Sequence, residues 1–80
     1  MTNKQKYINA FVEAFEIDEK SVESLEYNSI AEWDSVGHMG LMAELEDAFD
    51  ITLEMEDIID FSSYKKGIET LAKYDVDING

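Results

Sequence analysis

Asp34, Ser35 and His38 are the residues of this 80-residue chain whose types and spacing come nearest to a nucleophilic pair. A serine three positions ahead of a histidine shares a helix face with it, and an imidazole beside a hydroxyl is the usual way a serine nucleophile is activated. The sequence offers no evident oxyanion hole, however. Asp34 is also Ser35's chain neighbour rather than a group set to orient the ring. A hydrolase is therefore not expected, nor an enzyme of any kind, and His38 is expected to be an exposed polar residue or a minor partner contact.

A second constellation lies at the other end. Asp75, Asp77, Asn79 and Gly80 spell the opening of a calcium loop, D-x-[DN]-x-[DN]-G. The later ligands, including the bidentate glutamate, and the exiting helix do not follow in this sequence. A polar, frayed tail and no built metal site are expected.

Ser35 alone has two readings. As a helix N-cap its hydroxyl would accept a hydrogen bond from a first-turn amide. As an exposed residue ahead of a regular helix it could instead present a modifying group to the helix's positive end, where a phosphodiester is electrostatically favoured.

The elements that must position these residues follow from hydrophobic spacing. Tyr7, Ile8, Phe11, Val12 and Phe15 recur at threes and fours and predict a helix over Asn3 to Phe15, capped by Thr2 or Asn3. From Glu16 to Asp34 the period is lost, with only Ile17, Val22, Leu25 and Ile30 apolar at intervals, and a long ordered loop is predicted. Asp34 or Ser35 can cap a second helix over Ser35 to Phe49, with Val36, Met39, Met42, Leu45 and Phe49 on one face. Ile51-Thr52-Leu53 leads to a short third helix over Glu54 to Asp60 around Ile58 and Ile59. Ser62 or Ser63 can cap a last helix carrying Tyr64, Ile68, Leu71 and Ala72 inward, fraying near Tyr74. There is no proline, linker or repeat. The expected fold is a single all-α domain, a small four-helix bundle with a long first loop.

Composition limits the function further. Nineteen acidic residues against six basic ones give a net charge of −13, which repels phosphate backbones and anionic lipid, so neither nucleic acid nor membrane is an expected partner. The basic residues are Lys4, Lys6, Lys20, Lys65, Lys66 and Lys73, leaving Ser21 to Tyr64 without a positive charge. No apolar run reaches the ~20 residues of a bilayer span and no export signal is evident, so a cytoplasmic monomer is expected. Cysteine is absent, which removes disulfides, thiolate metal sites and any thiol chemistry of the polypeptide's own.

The run Glu32-Trp33-Asp34-Ser35-Val36-Gly37-His38-Met39, continuing through Leu41-Met42-Ala43-Glu44-Leu45-Glu46-Asp47-Ala48-Phe49-Asp50-Ile51, resembles the acyl carrier protein family. Length, acidity, the long first loop and the short helix before the last extend the resemblance over nearly the whole chain. Val36 stands where leucine is usual, and Gly37 and Gly40 where polar or acidic residues are common. The resemblance implies that Ser35, preceded by Asp34, is joined through a phosphodiester to 4′-phosphopantetheine, delivered from coenzyme A by a magnesium-dependent phosphopantetheinyl transferase. The arm would supply the missing thiol, on which acyl or aminoacyl groups ride as thioesters in lipid or secondary-metabolite biosynthesis. It further implies that acyl-loading and acyl-processing enzymes dock through basic patches on Val36, Met39, Glu44, Glu46, Asp47, Asp50, Glu54, Glu56 and Asp57. An acyl chain would slip between the second and third helices, against Met42, Leu45, Phe49, Ile58 and Ile59. The competing expectation is an acidic interaction or divalent-cation module in which Ser35 stays unmodified.

Overall fold

A computed structural model describes residues Thr2 to Ile78. The Thr2 hydroxyl accepts from the Gln5 amide at 3.1 Å and starts α1, Asn3–Phe15, with the predicted bounds. Tyr7, Ala10, Phe11 and Phe15 form its buried face. At Glu16 the chain turns left-handed (φ 52°) and its amide returns to the Val12 carbonyl at 2.8 Å, closing the helix without a glycine.

The predicted loop contains an element that was not expected. Asp18 caps a 3-10 helix, η1, over Glu19–Ser24, which buries Val22. A single apolar residue leaves no stripe to read, which is why the sequence pattern shows only a loop there. Beyond η1, the Tyr27 amide donates to the Ser62 carbonyl (2.8 Å) and the Tyr64 amide to the Leu25 carbonyl (3.0 Å), an isolated antiparallel bridge between Glu26 and Ser63. The loop is thus tied to the start of the last helix. Trp33, near its end, is fully buried among the rings of Phe11, Phe15 and Phe61.

The second helix, α2, spans Ser35–Phe49 as predicted and ends on the left-handed Asp50 (φ 54°). Its inward face keeps the predicted Met42, Leu45 and Phe49 but not Val36 and Met39. His38, Leu41, Met42 and Leu45 are buried, whereas Val36 and Met39 are 80% and 54% exposed. Steps of three precess about 60° each, so Val36 lies about 180° around the helix from Leu45. The alternating three-four spacing of 38, 41, 42, 45 and 49 is the one a core can hold.

A short α3, Met55–Asp60, begins one residue later than expected, with Glu54 as its cap, and buries no residue completely. The Ser63 hydroxyl accepts from the Lys66 amide at 2.9 Å and starts α4, Tyr64–Ala72. Tyr64 and Leu71 point inward as expected and Ile68 is half-buried, but Ala72 is exposed and Thr70 takes an inward place. Gly67 lets α4 close on α1: a Cβ there would lie 2.1 Å from the Tyr7 hydroxyl and 2.2 Å from the Phe61 ring. That buried hydroxyl donates to the Tyr64 carbonyl at 2.6 Å, and burial pushes the phenol's pKa far up.

As far as Ile78 the tail is not frayed. Val76 and Ile78 are buried, because the apolar residues between the aspartates return to the core. Asn79 and Gly80 lie outside the described residues. Among those described the chain is all-helical, with five helices and no strand. α1 packs along α2 and against η1, and η1 also touches α4. No described helix is long and apolar enough to cross a membrane.

Candidate functional site

The start of α2 separates the two roles that Ser35 could have played. Asp34, in extended conformation, is the N-cap: its Oδ1 accepts from the Gly37 amide at 2.8 Å, and its carbonyl accepts the first helical bond from the His38 amide at 2.8 Å. Ser35 is therefore the first helical residue and not the cap. It is exposed, and no side-chain hydrogen bond engages its hydroxyl among the described residues. The Ser35 and Val36 amides remain at the open, positive end of a 15-residue helix.

Gly37 sets how closely the loop approaches this helix. A Cβ there would stand 1.9 Å from the Glu32 carbonyl oxygen and 3.3 Å from the Phe15 ring. Gly40, one turn beyond Val36, has nothing within 4 Å of the same position. The surface beside Ser35 is consequently bare and apolar: Val36, Met39 and Gly40 are exposed, with Ala43, Glu44 and Asp47 exposed further along.

His38 is not the exposed polar residue that the sequence suggested. It is buried, its ring stacks on Trp33 (15° between planes), and Tyr27 meets it edge-on at 5.5 Å. The Trp33 Nε1–H donates to His38 Nδ1 at 2.9 Å. An indole N–H can only donate, so Nδ1 is the bare nitrogen and Nε2 carries the proton, which it donates to the Ile58 carbonyl at 2.7 Å. Both ring nitrogens are thus engaged, and no pairing of His38 with Ser35 exists. The sequence held a partial signal of this, since His38 falls in register with Leu41, Met42 and Leu45; Trp33 precedes the cap, where helical spacing says nothing.

Two of the acidic docking candidates are occupied within the chain. Glu46 is half-buried and its Oε2 accepts from the Leu53 amide at 2.8 Å, which fixes the turn after α2. Asp57 accepts from the Tyr74 hydroxyl at 2.5 Å and pairs with Lys73 at 3.0 Å. These partners, Tyr74 first and Lys73 second, hold its carboxyl below the ordinary aspartate range. The same contacts raise Lys73 and Tyr74 above theirs. Tyr74 also accepts from the Glu54 amide at 2.9 Å, so the predicted fraying point is a hub that ties α3 to the end of α4. Glu44, Asp47, Asp50, Glu54 and Glu56 are exposed.

The five residues expected to line an acyl pocket are divided. Met42 and Leu45 are fully buried, Phe49 and Ile58 half-buried, and Ile59 is 72% exposed, joining Met55 on the outside of α3. With Ile58 turned toward the core, its chain neighbour Ile59 lies about 100° further round the helix and faces outward. Two surface cavities lie elsewhere: one of about 310 Å³ bounded by Ile68, Ala72 and Asp75 to Ile78, and one of about 240 Å³ bounded by Glu23 to Glu26, Ser63 and Lys65. Neither borders Ser35. Among the described residues no group of three or more acidic, histidine or cysteine side chains could hold a metal ion.

No protein-family model, curated protein or solved structure matches the chain.

Proposed function

We propose that the chain is a carrier domain on which Ser35 receives 4′-phosphopantetheine, and that it presents acyl or aminoacyl cargo to partner enzymes without catalysing a step itself. One observation carries the reading: Asp34 takes the cap, so the Ser35 hydroxyl stands exposed and unengaged at the head of α2. The free amides of Ser35 and Val36 suit a phosphodiester there electrostatically. Bound at that place, the arm would supply the thiol that a chain without cysteine lacks. Acyl-carrier resemblance in the Asp34-Ser35-Val36 run supports the same assignment.

The exposed patch of Val36, Met39 and Gly40, edged by Glu44 and Asp47, suits transient docking by a transferase and by acyl-processing enzymes with basic rims. Exposed charge pairs raise encounter rates while adding little affinity, so partners can exchange. Intact-mass measurement tests the proposal. Incubation with coenzyme A, magnesium and a broad-specificity transferase should add one phosphopantetheine to the wild type and none to Ser35→Ala. An unchanged wild-type mass, or the same increment on the variant, overturns it.

A further inference from the structure

The carrier reading makes no use of His38, yet this ring joins three separate parts of the chain. Through Nδ1 it holds Trp33, the last loop residue before the Asp34 cap; through Nε2 it holds the backbone of α3 at Ile58; and its own backbone amide makes the first hydrogen bond of α2. Only the neutral ring with a bare Nδ1 can accept from Trp33. A proton on Nδ1 would set two N–H donors face to face across 2.9 Å, while the bond from Nε2 to the Ile58 carbonyl would survive and gain charge assistance. The two links therefore differ in their response to acid, and the one that fails is the link to the loop.

We propose that His38 is a proton-operated latch: neutral, it fastens the Trp33 end of the loop to α2 beside Ser35, and protonated, it lets that segment go while keeping hold of α3. Tyr27, which covers the ring edge-on, is itself 44% exposed. The remaining facing group, Phe61, is apolar. Charged residues on the elements packed around the ring are Glu26, Glu32 and Asp34 in the loop and Glu56, Asp57 and Asp60 on α3. None is hydrogen-bonded to His38. Asp34 is engaged with the Gly37 amide and Asp57 with Tyr74 and Lys73.

The latch does not depend on Ser35 being modified, so the unmodified chain can be tested and the two proposals can fail separately. Nitrogen-15 NMR of the imidazole at about pH 7.5 should show a protonated Nε2 and a bare Nδ1, the tautomer in which imidazole can be both acceptor and donor. As the pH is lowered from about 7.5, the Trp33 indole signal should move together with the imidazole nitrogen signals of His38. Amide protection over residues 26 to 38, corrected for intrinsic exchange, should fall about tenfold, as expected when a buried donor loses its acceptor, with α4 unaffected. His38→Asn keeps an acceptor at the Nδ1 position and does not titrate, so its loop protection should be independent of pH over the same series. Trp33→Phe removes the donor and should abolish the pH response while His38 still titrates. An Nδ1–H tautomer or a charged ring at the upper pH, a loop indifferent to His38 titration, or a wild-type pH response in His38→Asn would each overturn the latch.

Discussion

Two glycines three residues apart in α2 should respond to the same substitution with opposite signs. At Gly40 the position of a Cβ is open to 4 Å, so Gly40→Ala meets no neighbour and gains only helix propensity, about 1 kcal/mol. At Gly37 the same gain is available, but the new methyl would sit 1.9 Å from the Glu32 carbonyl oxygen, which would have to withdraw by roughly 1 Å in a close-packed region. Overpacking of this kind costs about 1–3 kcal/mol, and a backbone atom gives way less easily than a side-chain tip, so the upper end applies. The net loss is about 2 kcal/mol. For a domain of this length each kcal/mol moves the melting temperature by about 4–8 °C. Gly40→Ala should therefore melt about 4–8 °C higher than wild type, and Gly37→Ala about 8–16 °C lower. Far-ultraviolet circular dichroism follows the helices, and fluorescence of the single Trp33 follows the loop whose approach Gly37 permits. If Gly37→Ala proves as stable as wild type, the loop does not rest on the helix as described. A Gly40→Ala protein no more stable than wild type would remove the claim that this position is open.

Because Asp34 and not Ser35 caps α2, Ser35→Ala should leave urea stability within about 0.5 kcal/mol of wild type while Asp34→Ala costs about 1 kcal/mol. The Asp57 carboxyl is held low by Tyr74 and Lys73, so its contribution is complete above the unfolded aspartate value of about 4 and is lost as pH falls through the lower folded one. Urea midpoints followed from neutral pH down to about pH 2 should decline less steeply in Asp57→Asn. Tyr74 and Lys73 are raised, so their contributions hold below the unfolded values of about 10 and are lost above the folded ones; Tyr74→Phe should flatten the alkaline side of the same plot. Tyr7→Phe removes a buried hydrogen bond from a carbonyl that keeps its helical partner, and should cost about 0.5–1.5 kcal/mol by the same urea assay.

Four α-helices were legible because each combines an apolar period with a capping residue, and caps at Thr2, Asp34 and Ser63 fix where three of them begin. The inward face of α2 was harder to read. Val36 and Met39 look like core by residue type, whereas a histidine looks like surface; angular spacing favours the histidine, and its two hydrogen bonds remove the cost of burying it. Ser35 and Asp34 were legible as a pair but not in their division of labour, since either side chain can cap. Which one does is settled by the extended backbone at Asp34, a three-dimensional fact. The internal engagements of Glu46 and Asp57 were invisible for another reason. Each depends on a partner brought close by a turn or by α4, and an acid on a helix surface carries no mark of whether its partner is an amide of its own chain or a lysine of another.

That last ambiguity bears on how an acidic chain can be recognised at all. With a net charge of −13, attraction to a basic surface is general and discriminates poorly. Local uncharged features add discrimination, and beside Ser35 these are Val36, Met39 and the bare backbone at Gly40. A Cβ added at Gly40 would stabilise the fold, so glycine at that position costs stability in the isolated chain. Such a cost fits a surface at which a partner comes close to the helix backbone. On that view Gly40→Ala would separate folding from recognition: more stable in urea, yet loaded more slowly by the transferase at limiting concentration than wild type. Faster or equal loading would leave the glycine without a role in docking.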